Sequence, residues 1–341
     1  MPAVILIRTA IRAGGRPRTV PEFRRARRFA TLVAALLAVA YLGCWQPATA
    51  AADGPLTPVA SSYLARITHV PAGLHAKVLD GYLSLWLQAS PEMDVTVFDF
   101  YGAPWLHFDR EGVFQNRNSQ EYYLGQTPIP ETPPTGLTAR TPPHWVMVSG
   151  GHSYTWREGR LHSVALEARA PGVSYVGPWS IRLRVNGDPA RLSGGVWYAA
   201  RPSIVWFWPI VVLIACALAI WRLHDRRLNR RVARALAFVL LALIAIAALG
   251  RELHGRPTVG ALQVIELAIG LAVIGAAGRW LAASRGGRPL SWAIALVSLW
   301  AGLVLSPVLL HGFVLVALPA FLARLAATLL LGGSVGLALL A

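Results

Sequence analysis

Three histidines and one methionine offer the first chemistry in this chain. His144, His152 and His162 lie within 19 residues of one another, close to Met147. Imidazole and thioether groups together are ligands suited to copper. No pair has a tight ligand spacing and no cysteine stands nearby, so a surface or hydrogen-bonding role competes with a metal role. A second constellation is Glu266, an acid inside an otherwise apolar run, with Arg324 as the cation that could meet it. Charges within a membrane span are costly, and they are either functional or paired. Ser119 and Ser149 have no base at a familiar catalytic spacing, and no nucleophile elbow, phosphate loop, carboxylate pair or zinc motif occurs. The expectation is therefore a chain without catalytic activity and without a cofactor, copper being the alternative.

Charge and hydropathy set the frame around these residues. The chain has 341 residues, 55% hydrophobic and 14% charged, with a net charge of +16. That excess is not spread evenly. Residues 53–200 carry eleven basic and twelve acidic groups, while residues 201–341 carry thirteen arginines against three acids. Basic groups that flank apolar runs report membrane topology, which argues against nucleic acid as a partner. The only cysteines, Cys44 and Cys216, both fall outside residues 53–200, so no disulfide staples that segment.

The topology turns on residues 203–221, an uncharged run of 19 residues, long enough to cross a bilayer. Residues 222–234 follow with six arginines and one aspartate, the pattern of a cytoplasmic loop. Further spans are expected at 235–249, 259–277 and 290–306. A last one begins near Pro319, after a surface segment reaching Leu318. This gives a five-helix transmembrane bundle at 201–341 in the plasma membrane, with a cytoplasmic C-terminus. Residues 1–52 hold a basic region, an apolar run from Phe29 to Gly43 and small residues around Ala48, Ala50 and Ala52. That order is a signal peptide, or an N-terminal anchor if uncleaved.

Between signal and bundle, residues 53–73 read as a lead-in and residues from about 74 to 200 as short strands. Val95 and Val97 alternate with Thr96 and Phe98, with Asp99 falling on the valine face. Tyr122 to Leu124 reads as another strand. Six prolines between 127 and 143 mark a surface loop. Asn186-Gly187, set between alternating runs, is the strongest hairpin signal. The fold class expected is an extracytoplasmic antiparallel β-sandwich at 53–200 followed by the membrane helices. Trp145, Trp156, Trp179 and Trp197 belong to its core or line an aromatic groove.

The stretch from 102 to 203 resembles an uncharacterised family of actinobacterial polytopic membrane proteins with an exported β-rich domain. The resemblance rests on Gly102-Ala-Pro-Trp-Leu106, Gly112-Val-Phe-Gln-Asn116, Asn118, Ser119, Tyr122-Tyr-Leu124, Pro142-Pro-His-Trp145, Trp179 and Gly194 to Tyr198. It implies the architecture and no activity. Where that family has a histidine-rich segment, this chain keeps Trp156, Arg160 and His162 but has Arg157 and Gly159 in place of two histidines. The function expected is a binding or assembly module, held by a bundle that docks with other membrane or envelope proteins through small residues such as Gly270, Gly275 and Gly278. The alternatives are copper handling through the three histidines and a small transporter organised around Glu266.

Overall fold

The computed structural model describes residues 58–125, 131–166, 174–254, 261–283 and 288–341. The expected signal segment lies outside them, as do Pro128 and Pro130 of the proline-rich loop. The N-terminal domain is built from β1 (Ala60–Ser61), β2 (Tyr63–His69), β3 (Leu74–Leu79), β4 (Ser84–Ala89), β5 (Val95–Phe98), β6 (Pro104–Phe108), β7 (Val113–Asn116), α1 (Gln120–Leu124), β8 (Trp145–Ser149), β9 (Ser153–Arg157), α2 (Gly159–Leu166), β10 (Tyr175–Val185) and β11 (Asp188–Tyr198). One antiparallel sheet runs β2-β11-β10-β5-β6-β7-β8, and a smaller one runs β3-β4-β9. Side chains from both form a single core, with Leu85 and Leu87 of β4 and Trp156 of β9 joined to Val97, Leu106, Ile181 and Leu192 of the large sheet. This is the sandwich that the period-two patterning called for.

The long hairpin has the predicted turn. Asn186 and Gly187 take φ of 50° and 91°, the positive values that a two-residue type I′ loop requires. Ile181 and Leu183 point into the core while Arg182 and Arg184 face out. Across the hairpin, Trp179 occupies the space over Gly194, where any Cβ would strike its indole and the carbonyl of Arg66. The indole Nε1 donates to Gly195 O at 3.2 Å.

Three local expectations change. Residues 122–124 form part of α1, a helix of five residues rather than a strand, N-capped by Ser119, whose Oγ accepts from Glu121 N at 3.2 Å. The eight-residue α2 adds Leu161 and Ala165 to the core. Helices this short carry too few residues to show a 3.6 period. From residue 58 on the lead-in is itself structured: β2 pairs along β11, while β1 joins neither sheet of the sandwich.

Among the described residues the C-terminal half has five helices long and apolar enough to cross a membrane. They are α3 (Trp208–Arg222, preceded by a 3-10 turn at Ile204–Phe207), α4 (Arg226–Glu252), α5 (Ala261–Ala283), α6 (Arg288–Leu305, continued by a 3-10 turn at Ser306–Leu309) and α7 (Ala320–Leu340). As the sequence suggests, α7 starts directly after Pro319, but the segment before it is no plain surface stretch: Val308, Leu309, Leu315 and Val316 are buried. The hub is α7, which packs on α6, α3 and α4, while α5 rests chiefly on α4. Small residues allow this: Gly332 sits against Ile210 of α3, Gly333 against Leu240 of α4, and Gly302 of α6 against Leu331. Close backbone approach is a main source of helix association where lipid removes any hydrophobic advantage.

The two halves are stitched together. β12 (Phe313–Val314), between α6 and α7, pairs antiparallel with β1. Leu315 N donates to Val59 O at 2.8 Å, and Ala199 N to Ser62 O at 2.9 Å. Ser62 Oγ lies 2.9 Å from His311 Nδ1. Val59 and Ala60 are buried in the bundle's own core. Ala317 N donates to Gly250 O at 2.7 Å, so the end of α4 and the α6–α7 segment share the end of the bundle that carries the β domain. That parity is what alternating spans require.

Candidate functional site

The densest polar chemistry in the β domain lies beyond the end of β5. Alternation carries Asp99 inward after Val95 and Val97, leaving it 1% exposed. The chain turns there, with Asp99 N donating to Ala103 O and Ala103 N donating to Asp99 Oδ1, each at 2.8 Å. Asp99 Oδ2 accepts from Ser119 Oγ at 2.8 Å, so the residue that caps α1 also ties it to β5. From β9, Glu158 enters the same region, 2% exposed. Its carboxylate receives Arg160 Nε at 2.6 Å and Nη2 at 2.8 Å, a two-pronged pair, and Trp156 Nε1 at 2.9 Å. The third guanidinium nitrogen, Nη1, donates to Phe98 O at 3.0 Å. Fully buried Asn116 holds the next layer: it donates to Pro104 O and accepts from the backbone of Asn118 and His144.

Three carboxyls thus surround one guanidinium, and the third shows the imbalance. Burial above all, then the charge on Glu158 and to a lesser degree that on Asp99, with Arg160 partly offsetting them, together push the Glu121 carboxyl up to about 7. Burial alone would lower the Arg160 pKa, but the charge and hydrogen bonds of Glu158, with Glu121 and Asp99, outweigh it and the net direction is up. The cluster welds β5, α1 and the end of β9 into one unit. Ser119 is fully buried with its hydroxyl committed to Asp99, so it presents no nucleophile to solvent.

Beside this cluster the large sheet has a gap. β5 pairs with β10 only over residues 183–185. Past Phe98 it turns away at Asp99, and the upstream part of β10 borders an open cleft of about 330 Å³ instead of a strand. Arg160, Ser163, Ser180, Arg182, Arg191 and Phe100 line it. Arg182 and Arg191 stand directly opposite each other in the β10–β11 register, and both are exposed. Gly102, at φ 95°, leaves room for the Arg182 guanidinium, which any Cβ there would strike.

Of the residues singled out from sequence, Ser119 and Trp156 belong to this cluster and Trp179 borders the cleft, while the three histidines are placed elsewhere. His144 follows the proline-rich loop and is fixed through its backbone to Asn116 and Arg117. His152 sits in the β8–β9 turn, with Nδ1 3.2 Å from Asp109 O. His162 lies on α2, its ring stacked on Tyr82 at 5.6 Å, and burial followed by the charge of Arg157 lowers its pKa. These are three different elements with three different neighbours. Among the described residues no three or more His, Cys, Asp or Glu side chains are grouped to hold a metal ion. Met147 is exposed on β8. Trp156 and Trp179 are core residues, whereas Trp145 packs beside His107 and Trp197 lies under Arg66.

Arg324 donates to Val308 O at 3.1 Å and Gly312 O at 3.0 Å, with Trp206 stacked 5.9 Å away. It pins the segment that carries β12. Glu266 is on an exposed face of α5, the helix that rests on α4, so the structure does not bring these two charges together as the sequence suggests. Asp99, Glu121 and Glu158 were not singled out by sequence, because they are far apart in the chain and acquire meaning only when the strands align. The one local signal is Asp99 continuing the apolar face of β5.

No family model matches this chain, and neither a curated protein nor a solved structure matches it.

Proposed function

We propose that this chain is an integral membrane protein whose β domain works as an extracytoplasmic binding or assembly module, carried in a fixed orientation by the five-helix bundle. The observation that carries this reading is the β1–β12 pairing. A domain meant only to be tethered needs one flexible linker. Here the chain entering the domain is hydrogen-bonded into the helix-connecting segment, the chain leaving it is tied to that entry strand through Ala199 N and Ser62 O, and Arg324 holds the helix-connecting segment in place. Fixing orientation is useful when a surface must face a partner. The arginine-rich 222–234 segment supports an extracytoplasmic β domain. Gly270 and Gly275 on α5 face open space, with nothing within 4 Å of where a Cβ would stand. This leaves room for close approach by another membrane helix.

The test is a photo-crosslinking residue placed in living cells at Ser180, in the cleft, and at Glu111, in the β6–β7 turn. A discrete adduct from Ser180 and none from Glu111 is the expected result. No adduct from either position, or the same diffuse set from both, would remove the binding-module reading.

A further inference from the structure

The cleft beside β10 has a composition that its structural role does not explain. Arg182 and Arg191 are cross-strand neighbours on the same face, and like charges placed directly opposite destabilise a sheet pair. Among the described residues no acid forms an ion pair with either one. The carboxylates closest in the architecture are committed, Asp99 to Ser119 and Ala103, and Glu158 to Arg160 and Trp156. The cleft therefore presents two exposed guanidinium groups with the hydroxyl of Ser180, beside the 63% exposed ring of Phe100, while the Ser163 hydroxyl donates to Arg160 O.

We propose that this cleft binds a soluble small molecule through a carboxylate or phosphate group, with an apolar or ring-bearing body against Phe100. The proposal rests on the binding-module reading and names the ligand class. Two planar guanidinium forks match the geometry of an oxyanion, and charge-assisted bonds to them are about twice as strong as neutral ones. An anion also relieves the repulsion between the two arginines. The walls are rigid, because Arg160 is held on three sides by Glu158 and Phe98 O, and Trp179 is locked to Gly195 O. A cavity of about 330 Å³ suits a small molecule. Position favours a free solute over a lipid headgroup. The bundle end of β11 is Tyr198, next to the β1–β12 joint. Arg191 lies seven residues away along the strand, about 23 Å at the usual rise.

The experiment is calorimetric titration of the full chain in uncharged detergent with benzoate, inorganic phosphate and neutral benzamide. Saturable one-site binding of benzoate or phosphate, with none of benzamide, is expected. Arg182→Gln and Arg191→Gln should each weaken it by about tenfold or more. Arg184→Gln, on the same strand but stacked on Phe98, should leave it unchanged. In nanodiscs, anionic lipid should not displace the bound probe. No saturable binding of either anion, equal binding by the Arg182→Gln/Arg191→Gln double variant, or displacement by anionic lipid each overturns the proposal. If the Ser180 crosslink forms while the anions fail, the binding module stands and only the anion assignment falls.

Discussion

Glu121→Gln isolates the electrostatic strain in the carboxylate cluster. In the folded chain this carboxyl titrates near 7 against an ordinary 4.5. The folded state therefore keeps a proton that the unfolded state has released over that whole interval. Stability is highest where both states are protonated, below about 4.5, and falls as pH rises toward 7. At 1.36 kcal/mol per pH unit, the full interval is worth about 3 kcal/mol. Glutamine copies the protonated carboxyl in shape and cannot ionise. The variant should match the wild type near pH 4.5 and exceed it by about 3 kcal/mol at pH 8. For a domain of this size that is a midpoint difference of roughly 10 °C. The assay is thermal unfolding of the full chain in detergent at several pH values, followed by tryptophan emission. The difference between the two proteins is the quantity to read, since other titrating groups cancel in it. Parallel pH profiles for wild type and variant would refute the reasoning, for they would mean that Glu121 ionises as freely in the fold as outside it.

Arg160→Met should destabilise the β domain by about 3–5 kcal/mol, because it leaves the Glu158 carboxylate buried without its cation. Adding Glu158→Gln should recover part of that loss, and a double variant no better than the single in urea unfolding would contradict the pairing. Arg324→Leu should lower the thermal stability of the joined protein by removing two carbonyl contacts that hold the β12 segment. Its effect should add to that of Glu266→Gln within about 0.5 kcal/mol, as for independent sites, and strong non-additivity would show that the two charges interact after all. For membrane sidedness, an enzymatic reporter fused after Arg230 should be active only as a cytoplasmic form and one fused after His254 only as an exported form. Both reporters on one side would break the alternation of spans.

The sequence by itself determined the division into a β domain and a membrane bundle and the order of the apolar helices, while helix ends moved by up to nine residues, as at Arg226, where α4 starts against an expected 235. It could do so because the signals are local. A bilayer demands about twenty apolar residues in a row, a half-buried strand demands alternation, and Asn186-Gly187 demands a tight turn. Each is written in consecutive residues. The last span beginning at Pro319 belongs to the same class, since proline suits a helix start and an arginine is costly at mid-membrane. What the tertiary structure alone decided is the set of long-range meetings. Ala60 and Ser61 show no special pattern, and their pairing with Phe313 and Val314 depends on strands more than 250 residues apart reaching one end of the bundle. Arg324 looked like the partner of Glu266 because charge and depth can be read from a sequence, whereas helix adjacency cannot. The packing put α7 at the hub and α5 against α4, and gave the guanidinium two carbonyls. The Asp99–Ser119–Glu121–Glu158–Arg160 cluster has the same origin. Its members come from the end of β5, the cap and first turn of α1, and the start of α2. Only the closing of two sheets over a common core brings three acids and one arginine within hydrogen-bonding and Coulombic range.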